Sequence, residues 1–321
     1  MQRSTLLALA LAFSIPFTSR AHAQVAAPAA PAPTTRTPAR VRAPHEVPPT
    51  ELFEIERFVD GDTIWVRRKG EVEKLRLLSV DTEERLGPGH SGSATKPQTV
   101  FGEETALWAE ETFKKTAKDG GKAQVGLVFP GGTEQKDVYG RLLCHVLLPD
   151  GTDYNLLLVE TGRSPYFNKY GNDELCPAAF VAAQKRAREQ QLGIWNPATN
   201  VAHEAGATSA LRPYAQLLPW WDARAQAIDA YRALKKQKPD DVFFAEDKRE
   251  LARAADQGRE IEVFGEIDKQ FEETTGDATI LFRAIDRDAA LRVRIPKAAR
   301  AAHAELALEN AAIKDVLQRK L

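Results

Sequence analysis

VDGDTIWVRRKGEVEKLRLLSVDTEE, residues 59–84, reads as two short strands joined by a turn. Thr63-Ile64-Trp65-Val66 and Leu75-Arg76-Leu77-Leu78-Ser79-Val80 are rich in β-branched, aromatic and aliphatic residues, and Arg68-Lys69-Gly70 separates them. Ahead of them Phe53, Ile55, Arg57 and Val59 alternate with Glu54, Glu56 and Phe58, which gives a third strand. The stretch also places charge where a core calls for apolar residues. Asp60-Gly61-Asp62-Thr63 lies at a strand junction, Arg76 stands inside an apolar strand, and Asp81-Thr82-Glu83-Glu84 follows that strand at once.

Working outward, Arg85 to Val100 is rich in Gly, Ser, Pro and Thr and reads as a long mobile loop. Thr105, Trp108, Ala109, Thr112, Phe113 and Thr116 recur at helical spacing before Gly120-Gly121. Gln124–Phe129 and Leu142–Leu148 are two more strands, and Asn155–Glu160 and Pro177–Gln191 are helices. Five strands followed by helices predict an α+β domain, a small β-barrel capped by helices. A second unit, residues 210–321, shows helices at Asp222–Lys236 and Asp247–Asp256. Strands follow at Glu260–Ile267, Ala278–Asp286 and Leu291–Ile295, with a last helix from Lys297 to Gln318. It reads as a C-terminal α+β module whose three strands resemble part of an OB fold. Trp220-Trp221 at its start reads as a packing anchor.

The charges suggest chemistry when taken together. Two aspartates and a glutamate supply hard oxygen ligands and a general base, while Arg76 and Arg141 suit a phosphate through paired hydrogen bonds. Lys and Arg number 44 against 45 Asp and Glu in 321 residues, which excludes a polybasic nucleic-acid binder. Residues 51–200 hold 19 basic against 23 acidic side chains, so any hold on a polyanion depends on a metal and a few arginines. Two cysteines and six histidines exclude a zinc-finger cluster, and whether Cys144 and Cys176 are bridged stays open.

The N-terminus has its own pattern. Arg3, an apolar run from Leu6 to Phe17 and Ala21-His22-Ala23 read as a secretory signal peptide, residues 1–23, cleaved after Ala23. The run is too short to span a bilayer, and no Cys or second apolar run follows, so no membrane anchor is expected. A secreted or periplasmic location follows. Residues 24–50 hold seven Pro and seven Ala in 27 positions and read as a disordered linker.

The motifs VDGDT at 59–63, LRLLSVDTEE at 75–84, FGEETALWAEE at 101–111, DVYGR at 137–141 and LGIWN at 192–196 resemble the staphylococcal nuclease family, in the family's order. The resemblance covers about residues 51–197, within a domain bounded at 51–200. It implies a five-stranded OB-type barrel with three helices. It also implies calcium-dependent, sugar-nonspecific hydrolysis of DNA and RNA to 3′-phosphates, with single strands preferred. By position it makes Asp62 and Asp81 calcium ligands together with the Thr82 carbonyl. Arg76 then holds the phosphate, Glu84 acts on the attacking water, and Arg141 meets the phosphate and leaving group. Tyr139 becomes a phosphate contact, and Tyr166 and Tyr170 become base-stacking residues. The family usually reads D-T-P-E where this chain has Asp81-Thr82-Glu83-Glu84, which loosens the following loop and sets Glu83 beside Glu84 as a rival base. The same fold also serves as a noncatalytic nucleic-acid- or protein-binding module, the alternative reading.

Overall fold

Lys69 and Gly70 both adopt positive φ, 51° and 82°, the pair a two-residue hairpin needs to match the twist of its strands. They join β2 (Ile64–Arg68) to β3 (Glu71–Leu77) in antiparallel register, with Trp65 opposite Lys74. Strand β1 (Phe53–Phe58) pairs with β2 across a register shift between Ile55 and Arg57, a bulge that bends the strand. β1 also pairs with β4 (Gln124–Val128), and β4 with β6 (Leu142–Leu147). β6 then runs parallel to β3, with Leu142, Leu143 and Cys144 opposite Leu75, Arg76 and Leu77. That pairing closes a five-stranded mixed barrel, edged by the two-residue β5 (Gln135–Lys136). The computed structural model describes residues 42–87, 92, 93, 95–117, 120–137, 139–200, 211–283 and 290–299. Residues 42–321 form one compact unit.

Alternation fills the barrel. Val66, Leu75, Leu142, Cys144 and Val146 are fully buried, with Phe113, Tyr154, Leu158 and Phe180 packed on them from the helices. Helix α1 (Val100–Lys114) buries Phe101, Thr105, Ala109 and Phe113 at a spacing of four and is capped by the Thr99 hydroxyl. Its Gly102 lies against the Glu84 carbonyl; a Cβ there would stand 2.0 Å from that oxygen. Helix α2 (Tyr154–Glu160) is capped by Asp153, and α3 (Pro177–Glu189) starts on a proline. Cys144 and Cys176 are free, buried thiols.

Two sequence expectations for this domain need correction. The strand expected over 75–80 ends at Leu77. Ser79 turns at φ 63°, its hydroxyl donates to Asp173 Oδ2 at 2.7 Å, and the chain is redirected into Asp81. Residues 42–50, assigned by composition to a disordered linker, pack on the barrel. Ala43 and Glu46 are buried, and Glu46 accepts the Asp153 amide at 2.9 Å. Proline and alanine suit such an extended strap when neighbouring backbone groups supply its partners. Residues 1–41, including the expected signal peptide, lie outside the described residues.

After the barrel, helix α4 (Tyr214–Gln237) starts eight residues ahead of the expected helix, and α5 is Lys248–Asp256. The expected strand 260–267 is two elements. β8 (Glu262–Phe264) pairs in parallel with β7 (Val242–Phe244), an unexpected strand, while β9 (Ile267–Glu272) opens an antiparallel meander with β10 (Ala278–Phe282) and β11 (Arg292–Ile295). Most of the expected last helix lies outside the described residues.

One buried ion cluster ties these parts together. His145 Nδ1 lies 2.8 Å from Asp153 Oδ2, and its Nε2 lies 2.9 Å from Asp173 Oδ2. Burial disfavours the imidazolium, but the two carboxylates outweigh it and push His145 up to about 10. Unfolded histidine titrates near 6.5, so this stabilisation is complete below that pH and is lost as pH rises through about 10. Urea unfolding of His145→Gln is expected to show a loss of about 3 kcal/mol at mildly acidic pH. The gap to the unaltered protein should narrow steadily in alkaline buffer; a constant gap would contradict a charged His145.

Candidate active site

The turn after β3 and the β1–β2 connection bring the acidic motifs together. Asp62, almost fully buried, places Oδ1 2.7 Å from Arg76 Nη1, and its Oδ2 accepts the Thr82 amide at 2.9 Å. Asp81 Oδ1 accepts Arg76 Nη2 at 2.8 Å and Lys96 Nζ at 3.0 Å. Lys96 also reaches Glu84 Oε1 at 2.7 Å. Asp60 accepts the Asp62 amide at 3.1 Å. Thus Asp62, Arg76, Asp81, Thr82 and Glu84 occupy one place, joined by Asp60 and Lys96, which sequence reasoning did not assign.

A further cation comes from far along the chain. Arg212, just ahead of α4, donates through Nη1 to Asp81 Oδ2, through Nη2 to the Asp81 carbonyl, and through Nε to Glu83 Oε1 at 3.1 Å. The Tyr214 hydroxyl donates to the same Glu83 oxygen and accepts Arg212 Nη2 at 3.0 Å. Glu83 is 1% exposed and turned away from Glu84's partner Lys96. As a rival base beside Glu84 it is therefore poorly placed; it is the counter-ion of Arg212. The only hint in the sequence was a carboxylate standing where the related family has a proline. Nothing in the sequence said which of the many arginines would meet it.

The electrostatics follow from this crowding. Burial pushes the Asp81 carboxyl upward, but Arg212, Lys96 and Arg76 outweigh it and hold it well below the usual carboxylate range. Arg76 and Lys96 likewise hold Asp62 below its ordinary value against burial. Asp60 goes the other way, pushed up to about 7 by burial and by the charge of Asp62. Five carboxyls (Asp60, Asp62, Asp81, Glu83, Glu84) meet three cations (Arg76, Lys96, Arg212) among the described residues. The cluster is two positive charges short when every carboxyl is ionised. Carboxylate oxygens are the donor type a hard divalent cation takes, although the metal-donor side chains already gathered within reach of one another among the described residues are His45, Asp153 and Cys176, a group that shares Asp153 with the His145 ion cluster.

Arg141 stands apart from the cluster. Its Nε and Nη2 both lie 2.7 Å from Asp137 Oδ2, and its guanidinium lies 5.4 Å from the Tyr139 ring centre. It is two residues ahead of Leu143, the partner of Arg76 in register, so strand alternation puts both arginines on the same side of the β3–β6 pair. Tyr139 is 80% exposed and Tyr170 66% exposed, both open to a ligand. Tyr166 is not. It is 2% exposed, stacked on Phe180 at 5.1 Å, and its hydroxyl is bonded to Asn172. Its place is in the core, and the expectation that it stacks a base is corrected accordingly.

Comparison with known proteins matches this geometry. The family profile described as Staphylococcal nuclease homologue matches residues 74–197. Endonuclease YhcR of Bacillus subtilis is 35% identical over 144 residues, which cover 44% of this chain but only 11% of that protein. An uncharacterized endonuclease of Escherichia coli is 28% identical over 145 residues, 45% of this chain and 77% of that protein. Thermonuclease of Staphylococcus intermedius is 32% identical over 147 residues, 45% of this chain and 76% of that protein. With the barrel, the motif order and three-quarters of a thermonuclease matched, this chain belongs to the staphylococcal nuclease homologue family.

Proposed function

We propose that the protein is an exported, calcium-dependent nuclease that hydrolyses DNA and RNA, single strands preferred, to 3′-phosphate products. The observation that carries this reading is the cluster of five carboxyls meeting three cations, with Arg76 paired to both Asp62 and Asp81 inside it. The apolar run and Ala21-His22-Ala23 support export. Among the described residues no helix is long and apolar enough to cross a membrane.

In this reading Asp62, Asp81 and the Thr82 carbonyl hold calcium, which offsets the charge that builds on the phosphate. Arg76 and Arg141 donate to the phosphate oxygens, so the pentacoordinate phosphorus meets fixed positive charge rather than reorganising water. Arg141 exchanges Asp137 for the substrate in doing so. Glu84 takes the proton of the attacking water once Lys96 has released its Oε1. The water oxygen bonds to phosphorus, and the P–O5′ bond breaks. The electron pair leaves on O5′ toward Arg141, and that oxygen takes a proton from solvent. Tyr170 and Tyr139 offer exposed rings to the bases and sugar-phosphate chain.

Digestion of single-stranded DNA and RNA, followed by end-group analysis, is the direct test. Activity should vanish in chelator, and Asp62→Ala or Arg141→Ala should each lower turnover about a hundredfold or more. Full activity in chelator would overturn the calcium requirement, whereas nucleic-acid binding without turnover under any divalent ion would favour the noncatalytic alternative. The two glutamates should also separate. Glu84→Gln should cut turnover about a hundredfold with little change in melting temperature. Glu83→Gln should chiefly lower stability, by about 1–3 kcal/mol, because it weakens a buried charge-assisted bond to Arg212. A stable, inactive Glu83→Gln beside an active Glu84→Gln would move the base to Glu83.

A further inference from the structure

Arg212 has no opening left for a substrate. Its Nε, Nη1 and Nη2 all donate to protein groups, and its side chain is 4% exposed. Three of those bonds fix one residue or its neighbour: Asp81 Oδ2, the Asp81 carbonyl and Glu83 Oε1. The fourth, to Tyr214, ties the guanidinium to the first turn of α4. That turn is itself anchored, since Tyr214, Leu217, Leu218 and Trp221 pack with Phe101 of α1 and Ile194. The fork is therefore mounted on one hydrophobic cluster and aimed at one carboxylate.

The geometry points to Arg212 as a positioning residue of the nuclease site: seated just ahead of α4 and held by Glu83 and Tyr214, it takes Asp81 Oδ2, so that Oδ1, held here by Arg76 and Lys96, is the oxygen left for a cation to take from them. This rests on the reading that calcium binds at Asp62 and Asp81. A carboxylate free to rotate offers two equivalent oxygens in changing directions. One whose second oxygen and carbonyl are bonded presents a single oxygen in a fixed direction, and such outer partners commonly carry about 10–100-fold in metal affinity. A planar guanidinium can hold both acceptors of Asp81 at once, whereas an ammonium of equal charge cannot. Glu83 completes the device, because it keeps the arginine charge paired in a site closed to water. The segment beyond the barrel thus supplies part of the active site's framework.

Calorimetric titration of calcium chloride into the full chain, first stripped of divalent ions, tests this. Arg212→Lys keeps the charge and loses the fork, and its calcium Kd should rise about tenfold or more. Tyr214→Phe should raise it about threefold. Arg68→Lys is the control. Arg68 is an equally buried arginine, paired with Glu73 and Glu134 away from this cluster. It should melt at a lower temperature in chelator yet keep its Kd within about twofold. A Kd for Arg212→Lys within about twofold of the unaltered chain, or tighter, overturns the proposal. Should Arg212→Lys lose cooperative melting, an unchanged Kd in Tyr214→Phe overturns it instead. Absence of calcium uptake by the unaltered chain would sink the calcium reading itself, and this proposal with it.

Discussion

Asp81 is a carboxylate buried almost completely, and an ionised group in that position costs several kcal/mol unless it is paired. Its partners come from three separate stretches: Arg76 from β3, Lys96 from the loop that follows, and Arg212 from 131 residues further on. Meeting that one requirement ties the barrel, the loop and the segment leading into α4 together. Removing any one cation leaves buried negative charge unbalanced. The crowding also sets the protonation of the cluster, since five carboxyls meet three cations and Asp60 is pushed up to about 7.

A second buried ion cluster sits behind the first and supports it. Asp173 faces His145 with one oxygen and accepts the Ser79 hydroxyl with the same oxygen, while its other oxygen accepts the Leu175 and Cys176 amides just ahead of α3. Ser79 is the positive-φ residue that ends β3 and delivers Asp81. The path from His145 to Asp81 therefore runs through two hydrogen-bonded side chains and one strained turn. Such clusters contribute direction more than net stability, which comes from the apolar filling of the barrel. The division suits an active site, where a side chain displaced by an ångström is lost to the reaction.

Much of this was legible in the sequence, for identifiable reasons. One face of a barrel strand is wet and the other dry, so β1 shows in the sequence by period two, while β2, β4 and β6 show as short runs of β-branched, aromatic and aliphatic residues. α1 showed in the recurrence of Thr105, Ala109 and Phe113, all buried, and the structure extends that stripe back to Phe101. Asp62, Arg76, Asp81 and Glu84 stood out because charge interrupts an apolar pattern. Other features left no such trace. Tyr166 stands where the family resemblance implies a base-stacking ring and is a core residue. Residues 42–50 had the composition of a linker and lie along the barrel, because the Glu46 and His45 side chains bond Asp153 and Arg42 bonds the Asp150 carbonyl. β7 is three residues, too short for any periodicity to register, and the break between β8 and β9 falls inside what reads as one strand.

The sequence by itself determined the barrel, the order of its motifs, the family and the acidic and basic residues able to form a phosphate site. All of these depend on local pattern or on residue identity, which a chain carries without folding. Only the tertiary structure decided that Glu83 is a counter-ion beside Glu84, that Lys96 bridges Asp81 and Glu84, and that Arg212 closes on Asp81. Those pairings join residues with no fixed spacing. Coulomb attraction in a dry interior selects partners by distance in space, and the sequence records no such distance until the barrel, the loop and α4 have packed.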